Sequence, residues 1–308
     1  MMRPQTLHIA FIAIMEYQER HDGALPPAND AAAADEIVAI ATAHNDALKA
    51  ARAALGNPDS ILVADDLDLD VVRTVALMAA TEIQPVACFF GGVLAQEIVK
   101  YTGKFTPIHQ FCHFESLACL PDARPPAADL APKGGRFDHQ IAVFGREFQA
   151  KLAASSTFMV GCGALGCEYL KNFALIGIAH GEGGGTLTVT DNDAVSVSNL
   201  NRQFLFRSDN VDQPKSVAAS ARVLAMNPFL NVKALKELVC VKTENIFDDA
   251  FWNAQSWITN ALDNMKARLY VDDRCVYYEK ALMESGTLST KVSASRLPLH
   301  TSCEFFSQ

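Results

Sequence analysis

The chain has 308 residues, half hydrophobic and a fifth charged, enough to bury a core in about two domains. Its 35 acidic against 26 basic side chains leave a formal charge of −9, which argues against a nucleic-acid groove and against docking to an anionic membrane surface. Eight cysteines with no C-x-x-C spacing argue against a zinc knuckle and read as reduced thiols of a cytoplasmic or nuclear protein.

The apolar run at residues 7–15 is too short to span a bilayer, and the EYQERHDG that follows offers no small-x-small cleavage site. Leu7, Phe11 and Met15 repeat at helical spacing, which predicts a packed helix over residues 3–22, stopped by Gly23, Pro26 and Pro27. The alanine-rich stretch 30–55 predicts a second helix, with Ile37, Ile40, Ala41 and Leu48 near one face, and residues 66–80 predict a third. Residues 1–76 thus read as an all-helical bundle segment. Phe89-Phe90-Gly91-Gly92 leads into a further helix, expected to be buried with close backbone packing at the glycines. HQFCHFESLACLP (109–121) reads as a strand, and the Pro-, Ala- and Gly-rich residues 121–135 as a linker, so that 77–133 forms a second segment.

From residue 134 the pattern turns to strand–helix alternation. Strands are expected at 156–160, 186–190, 231–238, 256–262 and 281–288. Helices are expected between Leu165 and Gly177 and at 214–226, 244–253 and 264–278. This predicts an α/β fold over 134–291, with a mostly parallel, Rossmann-like sheet covered on both faces, and leaves 292–308 as a divergent tail.

VGCGALGCEYL (160–170) contains Gly161-x-Gly163-x-x-Gly166, the pattern of a turn that brings backbone against a phosphate. Alone it is a weak signal. Asp191 closes the next strand, 25 residues after Gly166, and Asp263 closes a later one. Each of these taken singly reads better as a turn or cap residue, but ligands of open parallel sheets bind where all three fall, at the carboxyl ends of the strands, and the three reinforce one another. The loop SNLNRQFLF adds Asn199, Arg202 and Gln203, and Lys215 opens the next helix. A lysine there opposes the helix dipole at a cost of ~0.3–1 kcal/mol, which a bound polyphosphate offsets. Asp263 suits Mg²⁺, which bridges phosphate oxygens through few carboxylates. An NAD enzyme needs neither the extra cations nor the metal, and no placed proton donor stands out, so the residues favour ATP over NAD.

GCGALGCEYLKNFALIG, TDNDAVSVSNLNRQFLF, NALDN and ESGTL, with FDHQIAVFG upstream, together resemble the ubiquitin-activating enzymes, within the wider family that adenylates ubiquitin-like proteins and sulfur carriers. The resemblance implies a Mg·ATP pocket. In it the turn Gly161, Gly163, Ala164 and Gly166 meets the nucleotide and Asp191 holds the ribose. Asn199, Arg202 and Lys215 hold the phosphates, Asp263 coordinates Mg²⁺ and Asn264 lines the site. Arg202, Lys215 and Asp263 form the catalytic set. The implied reaction is attack of the ubiquitin C-terminal carboxylate on the α-phosphate of ATP. Implied partners are the ubiquitin tail and, only through a C-terminal domain outside this sequence, a ubiquitin-conjugating enzyme. The family's thioester cysteine lies in a Pro-x-Cys-Thr stretch, which TSCEFF around Cys303 does not match. An arginine that reaches the family's ATP site belongs to a region outside this sequence, and FDHQ offers only His139. The chain therefore reads as an internal fragment that keeps most of the pocket. Two alternatives stand beside this reading: a non-catalytic nucleotide- or ubiquitin-binding remnant, and an NAD-dependent oxidoreductase.

Overall fold

The structure is a computed structural model that describes residues 3–56, 61–288 and 291–297, with side chains through Gly286. The chain divides into two compact units, Met1–Glu147 and Phe148–Gln308.

The first unit is helical: α1 (Pro4–Arg20), α2 (Ala31–Leu55), α3 (Leu69–Met78), α4 (Gln84–Lys100) and the short α5 (Ala127–Leu130) and α6 (Asp138–Phe144). Its core is shared by three of them. Ile9, Ala13 and Tyr17 of α1 meet Ala34 and Ile37 of α2 and Val72 of α3. Small alanine faces let α2 approach its neighbours closely. Asp30 starts α2 by accepting the Ala32 and Ala33 N–H groups, and Gly56 ends it in the left-handed conformation. Buried Asn45 then locks the returning chain, exchanging two hydrogen bonds with the backbone of Ala64 at 2.8 and 3.0 Å.

Three sequence expectations fail in this unit. Of the face expected to pack on α1, Leu7 is buried but Phe11 and Met15 are exposed, because the core stripe runs through Ile9, Ala13 and Tyr17. α4 is helical, but none of its residues is buried, and open space lies where a Cβ on Gly91 or Gly92 would stand. Its apolar composition therefore marks a bare surface rather than a core helix. Residues 109–121 form no strand, only a 3₁₀ turn at Leu117–Cys119. Their alternating aromatics go into side-chain contacts instead: Phe114 stacks on Phe89 of α4 at 4.2 Å, and His113 bonds His8 of α1 at 3.1 Å.

The second unit begins within α7 (Arg146–Ala154). It continues as β1 (Thr157–Val160), α8 (Ala164–Ile176), β2 (Leu187–Thr190), α9 (Lys215–Met226), β3 (Val232–Leu235), α10 (Asp249–Asn253), β4 (Trp257–Ala261), α11 (Met265–Tyr277), β5 (Ala281–Leu288) and β6 (Lys291–Leu297). The sheet order is β3-β2-β1-β4-β5-β6, parallel throughout except for the antiparallel β6. This is the expected mostly parallel, Rossmann-like α/β sheet, following an all-helical unit. Alternate residues of β1 divide the core. Met159 faces Leu170 and Ala219 of α8 and α9, and Phe158 faces Trp252 and Val271 of α10 and α11. The helix expected at 244–253 is shorter, because Asp248 caps it late by accepting the Phe251 N–H at 2.8 Å. Among the described residues no helix is long and apolar enough to cross a membrane.

Candidate functional site

The strand order reverses at β1. The chain runs outward from it to β2 and β3, then returns to its other side as β4. Crevices form at such a switch point, outside the carboxyl ends of the strands. Here a cleft of about 560 Å³ opens there, lined by the ends of β1, β2 and β4, the start of α8 and the segment after β3. It brings together Gly161, Gly163, Ala164, Asp191, Asn199, Arg202, Lys215, Asp263 and Asn264. Of the residues singled out from sequence, only Gly166 lies behind the lining.

The glycines differ in what they do. Gly161 has φ +99°, and a Cβ on it would stand 2.5 Å from the Ala261 carbonyl of β4. Gly166 lets α8 rest on the turn, since a Cβ there would lie 2.3 Å from the Gly161 carbonyl. At Gly163 a Cβ would meet nothing nearer than Gln203 Nε2 at 4.0 Å. That side of the turn faces the cleft, and space for a ligand remains above the amino end of α8. Gln203 is buried beside it, and its Oε1 has no partner among the described residues.

Asp191 anchors the turn from β2. Its two oxygens accept the Cys162 N–H at 2.7 Å and the Asp193 N–H at 2.8 Å. Burial pushes its carboxyl above the usual 3.8, against the pull of those N–H groups and of Lys215. The folded chain thus binds this proton more tightly than the unfolded chain. Asp191 therefore contributes most to stability at low pH, and that contribution is lost as pH rises from 3.8 through the raised value. Asp191→Asn is expected to flatten this slope. Urea unfolding of both proteins between about pH 4 and 7 checks it, and parallel curves would refute it.

Lys215, buried at the start of α9, is held twice by Asp193. Its N–H donates to the Asp193 carbonyl at 3.0 Å, and its Nζ lies 2.8 Å from Asp193 Oδ2. Sequence reasoning named Lys215 but not this partner, although the Asp-x-Asp spacing of TDND was visible. Asn199 spends its amide oxygen on the Ser196 N–H at 3.0 Å, so only its NH₂ end is left for the cleft. Arg202 is exposed and folds back on the Ser198 carbonyl at 2.9 Å. Asp263 is exposed, with no hydrogen bond or ion pair among the described residues, and Asn264 caps α11 through the Lys266 and Ala267 N–H groups. The far wall, Glu237 to Val239, is held by the Thr190 hydroxyl, which donates to the Glu237 carbonyl at 2.6 Å.

This donor set fits a magnesium-bound polyphosphate nucleotide. The turn residues Gly161, Gly163 and Ala164, the cations Arg202 and Lys215, and the exposed carboxylate of Asp263, which has no partner among the described residues, all line one cleft. The thiols next to the turn do not suit nucleophilic chemistry. Burial raises Cys162 well above the ordinary thiol range and Cys167 to about 11, and Asp191 adds to both shifts. Cys303 lies outside the described residues. In the first unit, His139 Nδ1 accepts the Glu82 N–H at 2.9 Å.

Comparison with known proteins agrees with this geometry. The chain is 44% identical over 299 residues to ubiquitin-activating enzyme E1 1 of Arabidopsis thaliana, which covers 97% of this chain and 26% of that protein. It is 45% identical over 292 residues to ubiquitin-like modifier-activating enzyme 1 of Mus musculus, covering 94% and 26%. The human protein of that name is 44% identical over the same length. The chain spans about a quarter of the length of these curated relatives. The family model of the ubiquitin-activating enzyme E1 four-helix bundle matches residues 1–45. The ThiF family model matches residues 137–304, more than half of the chain and the whole lining of the cleft, and the chain belongs to the ThiF family.

Proposed function

We propose that the second unit binds Mg·ATP in the switch-point cleft and serves the adenylation of a ubiquitin C-terminus, the first step of ubiquitin conjugation. The observation that carries this reading is the gathering of the glycine turn, Asp191, Lys215 and Asp263 in one cleft, in a chain so similar to ubiquitin-activating enzymes.

In this reading the Asp191 carboxylate, already fixed by two N–H groups, accepts from the ribose hydroxyls. The Gly163 side of the turn and the amino end of α8 face the phosphates, with Ala164 against the nucleotide. The Asn199 NH₂, Arg202 and Lys215 neutralise phosphate charge, with Lys215 exchanging Asp193 for a phosphate oxygen. Asp263 holds Mg²⁺, with Asn264 beside it. When bound, the metal withdraws charge from the phosphate oxygens. The ubiquitin carboxylate attacks the α-phosphorus, the bond to the bridging oxygen of the β-phosphate breaks, and pyrophosphate leaves with an acyl adenylate formed. No proton need be taken from the nucleophile, so the chain's work is positioning and charge neutralisation.

Asp263→Ala is expected to weaken binding of ATP in the presence of Mg²⁺ at least tenfold, with little change for ATP in EDTA. Titration calorimetry reads both, and equal affinities of variant and parent for Mg·ATP would remove Asp263 from the site. ATP–pyrophosphate exchange with ubiquitin then tests the chemistry. Nucleotide binding without exchange marks this chain as a non-catalytic binder, and preference for NADH over ATP overturns the reading.

A further inference from the structure

Beside Asp263, behind the rim of the cleft, lies a buried polar cluster that none of the roles above uses. Asn260 on β4 and Glu284 on β5 are register partners in the parallel ladder. Asn260 Nδ2 donates to Glu284 Oε2 at 2.7 Å. From the other side Arg268 Nε, at the end of the first turn of α11, donates to Glu284 Oε1 at 2.7 Å. The side chains of Arg268 and Glu284 are only 11% and 4% exposed. Ser285 Oγ also holds the Asn260 carbonyl, at 2.7 Å. The guanidinium lies over Gly286, where a Cβ would come within 2.8 Å of it, so β5 is bare at the place where Arg268 crosses. Burial pushes the Glu284 carboxyl up, while Asn260 and Arg268 pull it down.

A buried ion pair is a poor way to add stability, because apolar groups of the same volume commonly serve as well or better. It does give direction, which an apolar contact does not. Here one carboxylate grips both flanks of a single corner. The chain leaves β4 at Ala261, turns through Leu262, Asp263 and Asn264, and enters α11. Asn260 precedes that corner and Arg268 follows it, and both are tied to Glu284. The Asn264 cap closes the corner between them. Arg268 and Glu284 do not line the cleft, but Asp263 and Asn264 do.

We propose that Arg268 and Glu284 are positioning residues: the Asn260–Glu284–Arg268 bridge sets where Asp263 and Asn264 stand at the rim of the cleft and so governs binding of the metal–nucleotide complex without touching it. This rests on the reading of Asp263 as the metal ligand.

Arg268→Lys keeps the charge but loses the planar, directed Nε–H contact, and Glu284→Gln keeps the shape but loses the charge. Two measurements on each full chain test the bridge. Amide hydrogen exchange is expected to quicken about tenfold at residues 263–268 while the turn 161–166 keeps its protection. The Kd for Mg·ATP is expected to rise about tenfold, the usual effect of removing a partner behind a metal ligand, with the Kd for ATP in EDTA changed by less than about threefold. Unchanged exchange at the corner in both variants overturns the proposal. So does faster exchange spread evenly over the sheet with both nucleotide forms weakened alike, which is the signature of a merely structural pair. If the parent chain binds neither form, the reading of the cleft has failed, and the exchange comparison alone decides the bridge.

Discussion

Lys215→Ala is expected to weaken Mg·ATP binding by about 2–3 kcal/mol, roughly 30- to 150-fold in Kd, while moving Tm by no more than about 3 °C. The two effects separate because of what the lysine touches. Its ammonium is buried at the edge of the cleft, paired there with Asp193, whose side chain is 60% exposed. Once the ammonium is gone, water resolvates Asp193 at little cost, as for most exposed ion pairs. The backbone bond from residue 215 to the Asp193 carbonyl survives the substitution, so the start of α9 stays in place. Loss of a cation from the first turn of a helix gives back a few tenths of a kcal/mol. A bound triphosphate has no such substitute, since it loses a charge-assisted hydrogen bond in a sheltered position. Calorimetry and thermal melting of the same samples check the pair. Affinity that holds within twofold would take Lys215 out of the phosphate site, and a fall in Tm matching the loss of affinity would make its role structural.

Gly166→Ala is expected to cost about 3 kcal/mol or more in urea unfolding, while Gly163→Ala leaves stability within about 1 kcal/mol and weakens nucleotide binding instead. The same methyl group is added three residues apart. At Gly166 it would stand 2.3 Å from the Gly161 carbonyl, so either α8 lifts off the turn or the turn moves against β4. Gly161 has little room to absorb this, because it packs against β4 closely enough that even a Cβ would stand 2.5 Å from the Ala261 carbonyl. At Gly163 the methyl enters the cleft with Gln203 Nε2 no nearer than 4.0 Å, so the protein is untouched and the ligand is obstructed. Equal stability losses in the two variants would refute the division of labour within the turn.

The sequence shows these glycines as one motif and cannot tell which serve the protein and which serve a ligand. That distinction depends on the Ala261 carbonyl, which reaches the turn from a strand a hundred residues later. The strand–helix alternation was legible where a short apolar run such as β1 ends on a glycine turn, or a strand such as β2 ends on Asp191. β5 in particular matches its expected bounds. Asp191 and Asp263 were legible from their places at strand ends. The Asp193 grip on Lys215 and the Asn260–Glu284–Arg268 bridge were not, because both arise from chain crossings and register rather than from local pattern. α4 shows the opposite failure. The segment after Phe89-Phe90-Gly91-Gly92 reads as a buried helix, yet composition reports only the tendency to be covered: Phe114 packs on Phe89 and Phe90, but Phe89, Phe90, Leu94 and Ile98 stay 40–62% exposed.

The switch point at β1 also sets a timetable. β1 pairs on one side with β2, thirty residues away at Thr157↔Leu187, and on the other with β4, a hundred residues away at Thr157↔Trp257. Pairing over the longer span closes the larger loop and forms more slowly. Until β4 docks, neither the Ala261 carbonyl beneath the glycine turn nor the carboxylate of Asp263 is in place. The cleft is thus absent from every half-folded chain, and any molecule that binds it recognises only chains that have completed the sheet. At a hundred times its Kd such a ligand would hold the finished fold by a further ~2.7 kcal/mol, so its concentration would set the fraction of chains in which this unit is folded.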